Sequence, residues 1–409
     1  MIITFTRRAA LACSLTAAFI LSATACGEDA APAQATAAKL DDTTAMLVVA
    51  NYAANVFTSY SDVVTKTAAL KTAVDAFVGT PTEANLTGAK QAWLDARVVY
   101  GQTEGYRFYD GPIDNAVDGP EGRINAWPLD ENFIDYVEKD GGGIDASAGI
   151  INDLERYPSI DKSVIAAANE KDGEANLSAG WHAIEFLLWG QDHSAIGPGA
   201  RPIADYEDKD GNPVPNPIRR GAYLKAATEL LLDDVTTVRD AWAPGIAGNY
   251  RAKFETQAPG VSVASMLKGI GTLASAELPQ ERMLVALKAK TQEDEHSCFS
   301  DNTHVDIQAN ALSVQNVWLG KYGSNDGPGL DELVRKTNPD LADKTTTSLA
   351  EAIEHCNDIK APFDQIIVSS NDAPERKNAE HAAEALIEAG GRIVESSAAL
   401  GLSITTTLE

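Results

Sequence analysis

His182 and Glu185 are the two residues of this 409-residue sequence whose types and spacing most directly suggest chemistry. They are three positions apart within an almost uninterrupted apolar stretch, GWHAIEFLLWG, so on a helix their side chains share one face. An imidazole and a carboxylate are costly to bury in such surroundings unless they pair with each other or bind a metal. Two interpretations therefore stay open: a hydrogen-bonded pair inside a helical core, or part of a metal site.

The pair does not complete a common peptidase motif. The zincin pattern His-Glu-x-x-His needs a glutamate after the first histidine and a second histidine three positions further on, where this chain has Ala183 and Phe186. A zinc pair completed by a distant histidine, His193, His296 or His304, is still compatible with the sequence. The residues alone therefore favour binding over catalysis, and the question of an enzyme stays open.

A second group of ligand-type side chains lies in the stretch 292–304. Glu295, His296, Asp301 and His304 are its candidate contributors to a site in the second half of the chain. The alternative is a solvated segment that caps the following helix, with Asp301 or its neighbour as the N-cap.

Helical periodicity dominates the elements that must position these residues. Apolar residues recur at steps of three and four between Met46 and Phe77, which predicts a bundle helix. A second helix is predicted from Thr82 to Phe108, with Glu104 on its inward face. A buried carboxylate there could be a ligand, or it could be neutralised by a buried arginine such as Arg97.

The His182 helix is predicted to begin after Ser178 as N-cap and to end at Gly190. The segment from Gly190 to Pro217 is rich in Gly, Pro and Asp and shows no periodicity, so it marks a boundary. Helical patterning resumes beyond it, and no convincing period-two alternation appears. The sequence predicts an all-α fold of two helical bundles, residues 41–200 and 201–409.

The N-terminus has the pattern of an export signal. Two arginines precede an apolar run from Ala9 to Ala25, which predicts a secretory signal peptide over residues 1–25. Small residues lead to Cys26, as in a bacterial lipobox, so we expect lipid attachment there, with ordinary cleavage as the alternative. Residues 26–40 would then be a lipidated flexible tether. We expect an exported protein, anchored to a bacterial membrane and facing the periplasm or the cell surface.

The net charge indicates which partners the protein can bind, and the cysteine count indicates whether it forms a disulfide. The formal net charge is −26, which should repel nucleic acid and favour cations. Apart from Cys13 in the signal and Cys26, the chain has Cys298 and Cys356. An even pair in an oxidising compartment predicts one structural disulfide between them.

Several motifs together resemble one family. Gly180-x-His182-x-x-Glu185 is similar to the Gly-x-His-x-x-Glu signature of imelysin-like proteins. Further segments resemble the family in the same order, and in part its iron-regulated branch: Trp93–Arg97, Phe108–Pro112, Ala126–Glu131, Ile134–Val137 and Glu295–Asp301. The resemblance covers roughly residues 40–400.

This resemblance implies two bundles packed side by side, with a polar site near their interface, in a bacterial extracytoplasmic protein linked to iron uptake. It also brings a historical classification with metallopeptidases. Carried over, His182, Glu185 and Glu104 become candidate metal ligands, and Arg97 becomes a neighbour that supports them. One imidazole with two or more carboxylates is a harder, more oxygen-rich set than structural zinc sites use, and it suits iron or manganese better.

The leading hypothesis is therefore an imelysin-like lipoprotein that binds iron, or an iron-bearing ligand, and takes part in iron uptake with a partner protein. One alternative is a metallopeptidase in which His182 and Glu185 hold zinc and Glu104 activates water. Another is a structural or partner-binding bundle without metal, in which His182 and Glu185 form a core hydrogen bond.

Overall fold

The computed structural model describes residues 40–139, 142–194, 196–212, 214–360 and 362–408, which belong to one compact unit. The predicted signal peptide, Cys26 and the tether up to residue 39 lie outside this part. The predicted all-α class is confirmed, because the described residues contain α-helices and one short hairpin. Among the described residues, no helix is both long and apolar enough to cross a membrane.

The first half of the chain contains eight α-helices among the described residues, and the predicted helices over Met46–Phe77 and around His182 are among them. The eight helices are α1 (Asp42–Gly79), α2 (Glu83–Gly101), α3 (Glu121–Ile124), α4 (Glu131–Ile134), α5 (Gly149–Asn152), α6 (Lys162–Ala168), α7 (Gly180–Trp189) and α8 (Pro217–Ala241). Helix α1 packs along both α2 and α8, and α7 packs against α2 and α8. The wholly buried α7 is therefore held inside a bundle whose outer helices have one polar face each.

The second half forms its own set of packed helices. They are α9 (Tyr250–Thr256), α10 (Pro259–Thr272), α11 (Val285–Ala289), α12 (Thr303–Leu319), α13 (Leu330–Arg335), α14 (Pro339–Asn357), α15 (Phe363–Val368) and α16 (Pro374–Ala399). A π-helical segment, Leu273–Leu284, joins α10 to α11, and α16 packs along both this segment and α14. A two-stranded antiparallel hairpin follows α12, with β1 (Lys321–Tyr322) paired to β2 (Asn325–Asp326).

The two sets of helices meet where α2 packs on α12 and α1 packs on α10. The domain boundary between residues 200 and 201 stays a prediction, and α8, which lies beyond it, packs against α1 and α7 of the first bundle. The α2–α12 contact matters for function, because it brings the first-half residues near α7 together with the segment that precedes α12.

The end of the second helix differs from the prediction. Helix α2 ends at Gly101 rather than at Phe108, because the N–H groups of Gln102 and Thr103 bond to carbonyls three residues back and tighten the chain into a turn. Glu104 then begins a short 3₁₀ turn, Glu104–Tyr106. It is buried as predicted, but it projects from that turn rather than from the stripe of a continuous helix.

Candidate functional site

Helix α7 is fixed at both ends by glycines. Its first residue, Gly180, has φ +87°, and a Cβ there would lie 2.5 Å from the carbonyl oxygen of Ile124. The first position of the Gly-x-His-x-x-Glu pattern therefore needs glycine for both conformation and space. The N-cap is Ala179, so the predicted cap at Ser178 is wrong. The Ser178 hydroxyl donates to a backbone carbonyl oxygen outside α7 instead of accepting a hydrogen bond from an N–H group of the helix. The predicted stop at Gly190 is confirmed.

His182 and Glu185 form a fully buried hydrogen-bonded pair. Nδ1 of His182 lies 2.9 Å from Oε2 of Glu185. Oε1 of Glu185 accepts two further bonds from Ser300, from its N–H at 2.9 Å and its O–H at 2.6 Å. Both carboxylate oxygens are therefore engaged, whereas Nε2 of His182 is buried and has no hydrogen-bond partner.

The protonation of this pair determines what His182 can bind. Burial and the nearby Arg97 guanidinium lower the pKa of His182 well below its ordinary value, so the ring is neutral. Burial raises the pKa of Glu185 to about 8, although the Ser300 hydrogen bonds act against this. When Glu185 ionises, Nδ1–H must donate to Oε2, and Nε2 then carries a lone pair. This is the arrangement in which a carboxylate orients a metal-ligating histidine.

His182 lines a cavity of about 70 Å³. Other ligand-type side chains on its wall are Glu131, Asp192, Glu293, Glu295, His296 and Cys298. Neither carboxylate oxygen of Glu295 has a hydrogen-bond partner, and burial raises its pKa well above the ordinary value. Burial also raises the pKa of Glu131 to about 7 and keeps the Cys298 thiol protonated by raising its pKa. On this cavity wall, Nε2 of His182 and both carboxylate oxygens of Glu295 are therefore polar atoms whose binding capacity the protein does not use.

His296 comes from the second half and completes the wall next to His182. The centroids of the two rings are 5.0 Å apart, and the ring of Trp127 packs edge-on against His296 at 5.2 Å. Nδ1 of His296 lies 3.2 Å from Oδ2 of Asp306. The structure therefore brings together the two candidate histidines that lie 114 positions apart in the sequence.

Asp306 is the buried centre of the polar network behind His296 and was not among the site residues predicted from the sequence. It accepts bonds from Nη2 of Arg97 at 2.9 Å, Nε of Arg97 at 3.1 Å and Oγ of Ser297 at 2.6 Å. Burial opposes its ionisation, but the Arg97 charge outweighs burial and holds the pKa of Asp306 well below its ordinary value. Its position on α12, on the same face as the buried polar residue Asn310, is the sequence signal that could have identified it.

Glu104 is neutralised by arginines, but not by the one expected. Its Oε2 accepts bonds from Arg107 at 2.9 Å and from Arg282 at 2.7 Å, while Arg97 bonds to Asp306. Burial raises the pKa of Glu104, but the two guanidinium charges outweigh burial and bring it well below the ordinary value. The Arg97–Glu104 pairing is therefore wrong. Glu104 as a metal ligand stays a prediction, with only Oε1 free of a partner.

Asp301 belongs to a different group. Within the described part of the chain, one set of three ligand-type side chains has ligand atoms within 4.8 Å of one another: Asp192, Asp301 and Asp364. His182, Glu185 and Glu104 do not form such a set there. His304 contacts the backbone of Asp301, with Nδ1 3.1 Å from its carbonyl oxygen.

The predicted disulfide is not formed. Cys298 and Cys356 are both free thiols in the structure. Cys298 lies on the wall of the His182 cavity, whereas Cys356 is buried near the end of α14 in the hydrophobic core. An even number of cysteines carries no information about their separation in space, which is why the prediction failed.

Comparison with known proteins agrees with this architecture. The family model for imelysin, Peptidase_M75, matches residues 56–393. Iron-regulated protein A of Synechococcus elongatus is 23% identical over 315 residues, which is 76% of this chain and 74% of the relative.

Two crystal structures share the fold. One is an iron-regulated protein A precursor from Parabacteroides distasonis, with a TM-score of 0.66, 21% identity and coverage of 88% of this chain and 97% of that chain. The other is an imelysin-like protein from Psychrobacter arcticum, with a TM-score of 0.63, 12% identity and coverage of 90% and 99%.

Proposed function

Because the chain belongs to the imelysin family, we propose that it is an extracytoplasmic binding protein that holds a metal ion, with iron as the expected ion, in the cavity beside His182. The observation that supports this most directly is the Nε2 atom of His182, which is buried, has no partner and lines that cavity. Buried polar atoms without partners are rare, because leaving one unpaired costs about 1–3 kcal/mol. A ligand that accepts the nitrogen lone pair would remove this cost.

The residues present fit a hard or borderline cation. His182 would supply Nε2, and Glu295 would supply a carboxylate that now has no hydrogen-bond partner. Glu185 would orient His182 instead of ligating, because both its oxygens are already bonded. A protonated Cys298 is a poor ligand, so the set is rich in oxygen and nitrogen, as iron and manganese prefer.

The size and charge of the site suit a cation. A cavity of about 70 Å³ can hold an ion with a few waters. The net charge of −26 would raise the local concentration of cations. Two relatives from different organisms carry the name iron-regulated protein A or its precursor, and these names support a link to iron. Under this proposal Cys26 carries a lipid anchor to a bacterial membrane, and a partner protein takes part in iron uptake.

Metal content tests the proposal. The purified protein, a His182→Ala variant and a control variant, His355→Ala, are analysed for bound metal and titrated with Fe²⁺ under anaerobic conditions. His355 is exposed on α14, away from the cavity. We expect one iron per chain in the wild type and in the control, and at least a hundredfold weaker binding in His182→Ala.

Other outcomes point elsewhere. Stoichiometric zinc, together with peptide cleavage that is lost in His182→Ala, would support the metallopeptidase alternative. No metal in any form, with a stability loss in His182→Ala, would leave a structural pair and contradict the proposal.

A further inference from the structure

Three aspartates from three separate segments lie close together near the C-terminal end of helix α7. Asp192 follows α7, Asp301 precedes α12, and Asp364 lies in the first turn of α15. One carboxylate oxygen of each lies within 4.8 Å of the others. Two oxygens on opposite sides of a Ca²⁺ ion lie about 4.6–5.2 Å apart, and adjacent ones lie closer, so this spacing fits a shared cation.

These carboxylates are largely buried, so water cannot stabilise their negative charge and a bound cation would do so. Asp301 and Asp364 are each only 6% exposed. Neither oxygen of Asp301 has a hydrogen-bond partner, and Oδ1 of Asp364 has none. Asp192 accepts bonds from the N–H of Ser194 and from the side chain of Gln292, which hold its carboxylate in place. Surface acidic clusters are solvated, whereas here two of the three members are more than nine-tenths buried and carry oxygens without a hydrogen-bond partner.

The chemistry of the group identifies the class of ligand. All three donors are carboxylate oxygens, with no imidazole or thiol among them, and such sets suit Ca²⁺, Mg²⁺ or Mn²⁺. Protein-supplied oxygens from three segments suit Ca²⁺ best among these, because Mg²⁺ gives up its waters reluctantly. We infer that Asp192, Asp301 and Asp364 form a second cation site, specific for a hard divalent ion of the Ca²⁺ type and separate from the His182 centre.

Such a site would tie the polar cavity to the second bundle. Asp192 is also on the cavity wall, and Asp301 directly follows Ser300, which bonds to Glu185. A bound cation would fix both segments relative to α15. The site would therefore stabilise the folded protein in proportion to its occupancy, because it binds the folded chain and not the unfolded one.

Calorimetric titration with CaCl₂ and thermal unfolding test this inference on the wild type, Asp301→Asn, Asp364→Asn and His182→Ala. The matched control is Asp372→Asn, an exposed aspartate eight positions beyond Asp364. We expect one Ca²⁺ per chain in the wild type, His182→Ala and the control, and at least tenfold weaker binding in Asp301→Asn and Asp364→Asn.

Thermal unfolding without cation gives a second readout that does not depend on binding. Removing one of three neighbouring negative charges relieves repulsion, so Asp301→Asn and Asp364→Asn should melt above the wild type in chelator and should gain nothing from Ca²⁺. The inference is overturned if the wild type shows no saturable Ca²⁺ binding at millimolar concentration. It is equally overturned if both variants bind Ca²⁺ as tightly as the control. The His182→Ala variant keeps all three aspartates, so it should bind Ca²⁺ even if it does not bind iron. Its Ca²⁺ titration therefore tests this inference independently of the iron proposal.

Discussion

Glu185→Gln should abolish metal binding at His182 although it changes a single atom. Ser300 presents two donors to Oε1 of Glu185, an N–H at 2.9 Å and an O–H at 2.6 Å. The amide oxygen of glutamine must therefore take the Oε1 position, and its NH₂ group takes the Oε2 position, facing Nδ1 of His182. An NH₂ group donates to Nδ1, so the proton of the imidazole moves to Nε2 and the lone pair toward the cavity is lost.

The size of the effect follows from the alternative rotamer. To restore the lone pair, the amide must turn its NH₂ group toward Ser300, which leaves two buried donors without an acceptor. Each costs about 1–3 kcal/mol, about 4 kcal/mol together, which corresponds to about a thousandfold weaker binding. The measurement is calorimetric titration with Mn²⁺ or anaerobic Fe²⁺ at pH 8.5, where most of Glu185 in the wild type is ionised.

A second substitution separates this explanation from simple damage. In the double variant Glu185→Gln/Ser300→Ala one of the two donors is absent, so the amide turns more easily and we expect binding to recover by at least tenfold. Below pH 6 the wild-type Glu185 is itself uncharged, so Glu185→Gln should melt within about 2 °C of the wild type there. Binding by Glu185→Gln within threefold of the wild type, with binding lost in His182→Ala, would refute the orienting role of Glu185.

Three other predictions follow from the same geometry. Metal binding should release protons below pH 8, one from Glu185, which has a pKa of about 8 without metal, and a further one from Glu295, whose pKa burial also raises. Affinity should then rise at least tenfold per pH unit from pH 6 to 7.5, and calorimetry in two buffers of different ionisation enthalpy counts the released protons directly. Gly180→Ala should lose soluble folded protein, because its Cβ would lie 2.5 Å from the Ile124 oxygen, and expression with circular dichroism checks this. Asp306→Asn leaves Arg97 buried without a counter-charge and should cost about 3–5 kcal/mol in urea unfolding.

Local signals predicted the elements around the site well. Helix α1, Asp42–Gly79, contains the predicted stretch Met46–Phe77, and α7 ends at Gly190 as expected. These two features depend on residues close together in the sequence. A regular apolar stripe defines the extent of a helix, and a glycine that can adopt positive φ ends one. The end of α2 was missed because its last turn tightens under tertiary contacts that periodicity does not record.

Pairings between distant residues could not be predicted in the same way. Arg97 was expected beside Glu104, seven positions away, but it bonds to Asp306, which is 209 positions away. The sequence shows that a buried carboxylate needs a cation, but it does not show which of several buried arginines lies opposite. The same reason explains why Ser300, which fixes the Glu185 carboxylate, drew no attention.

Charge balance separates the carboxylates that can serve a metal from those that cannot. Glu104 and Asp306 are already paired with arginines, which hold their pKa values low and neutralise their negative charge within the protein. Glu185 and Glu295 are in the opposite state, since burial raises the pKa of both and outweighs the effect of the Ser300 and Thr303 hydroxyls beside them. A cation beside His182 would let both ionise and would supply the charge that each lacks. On this argument we expect Glu295 to be a stronger ligand than the predicted Glu104, because a carboxylate held neutral by burial gains more from an arriving cation than one already neutralised by two arginines.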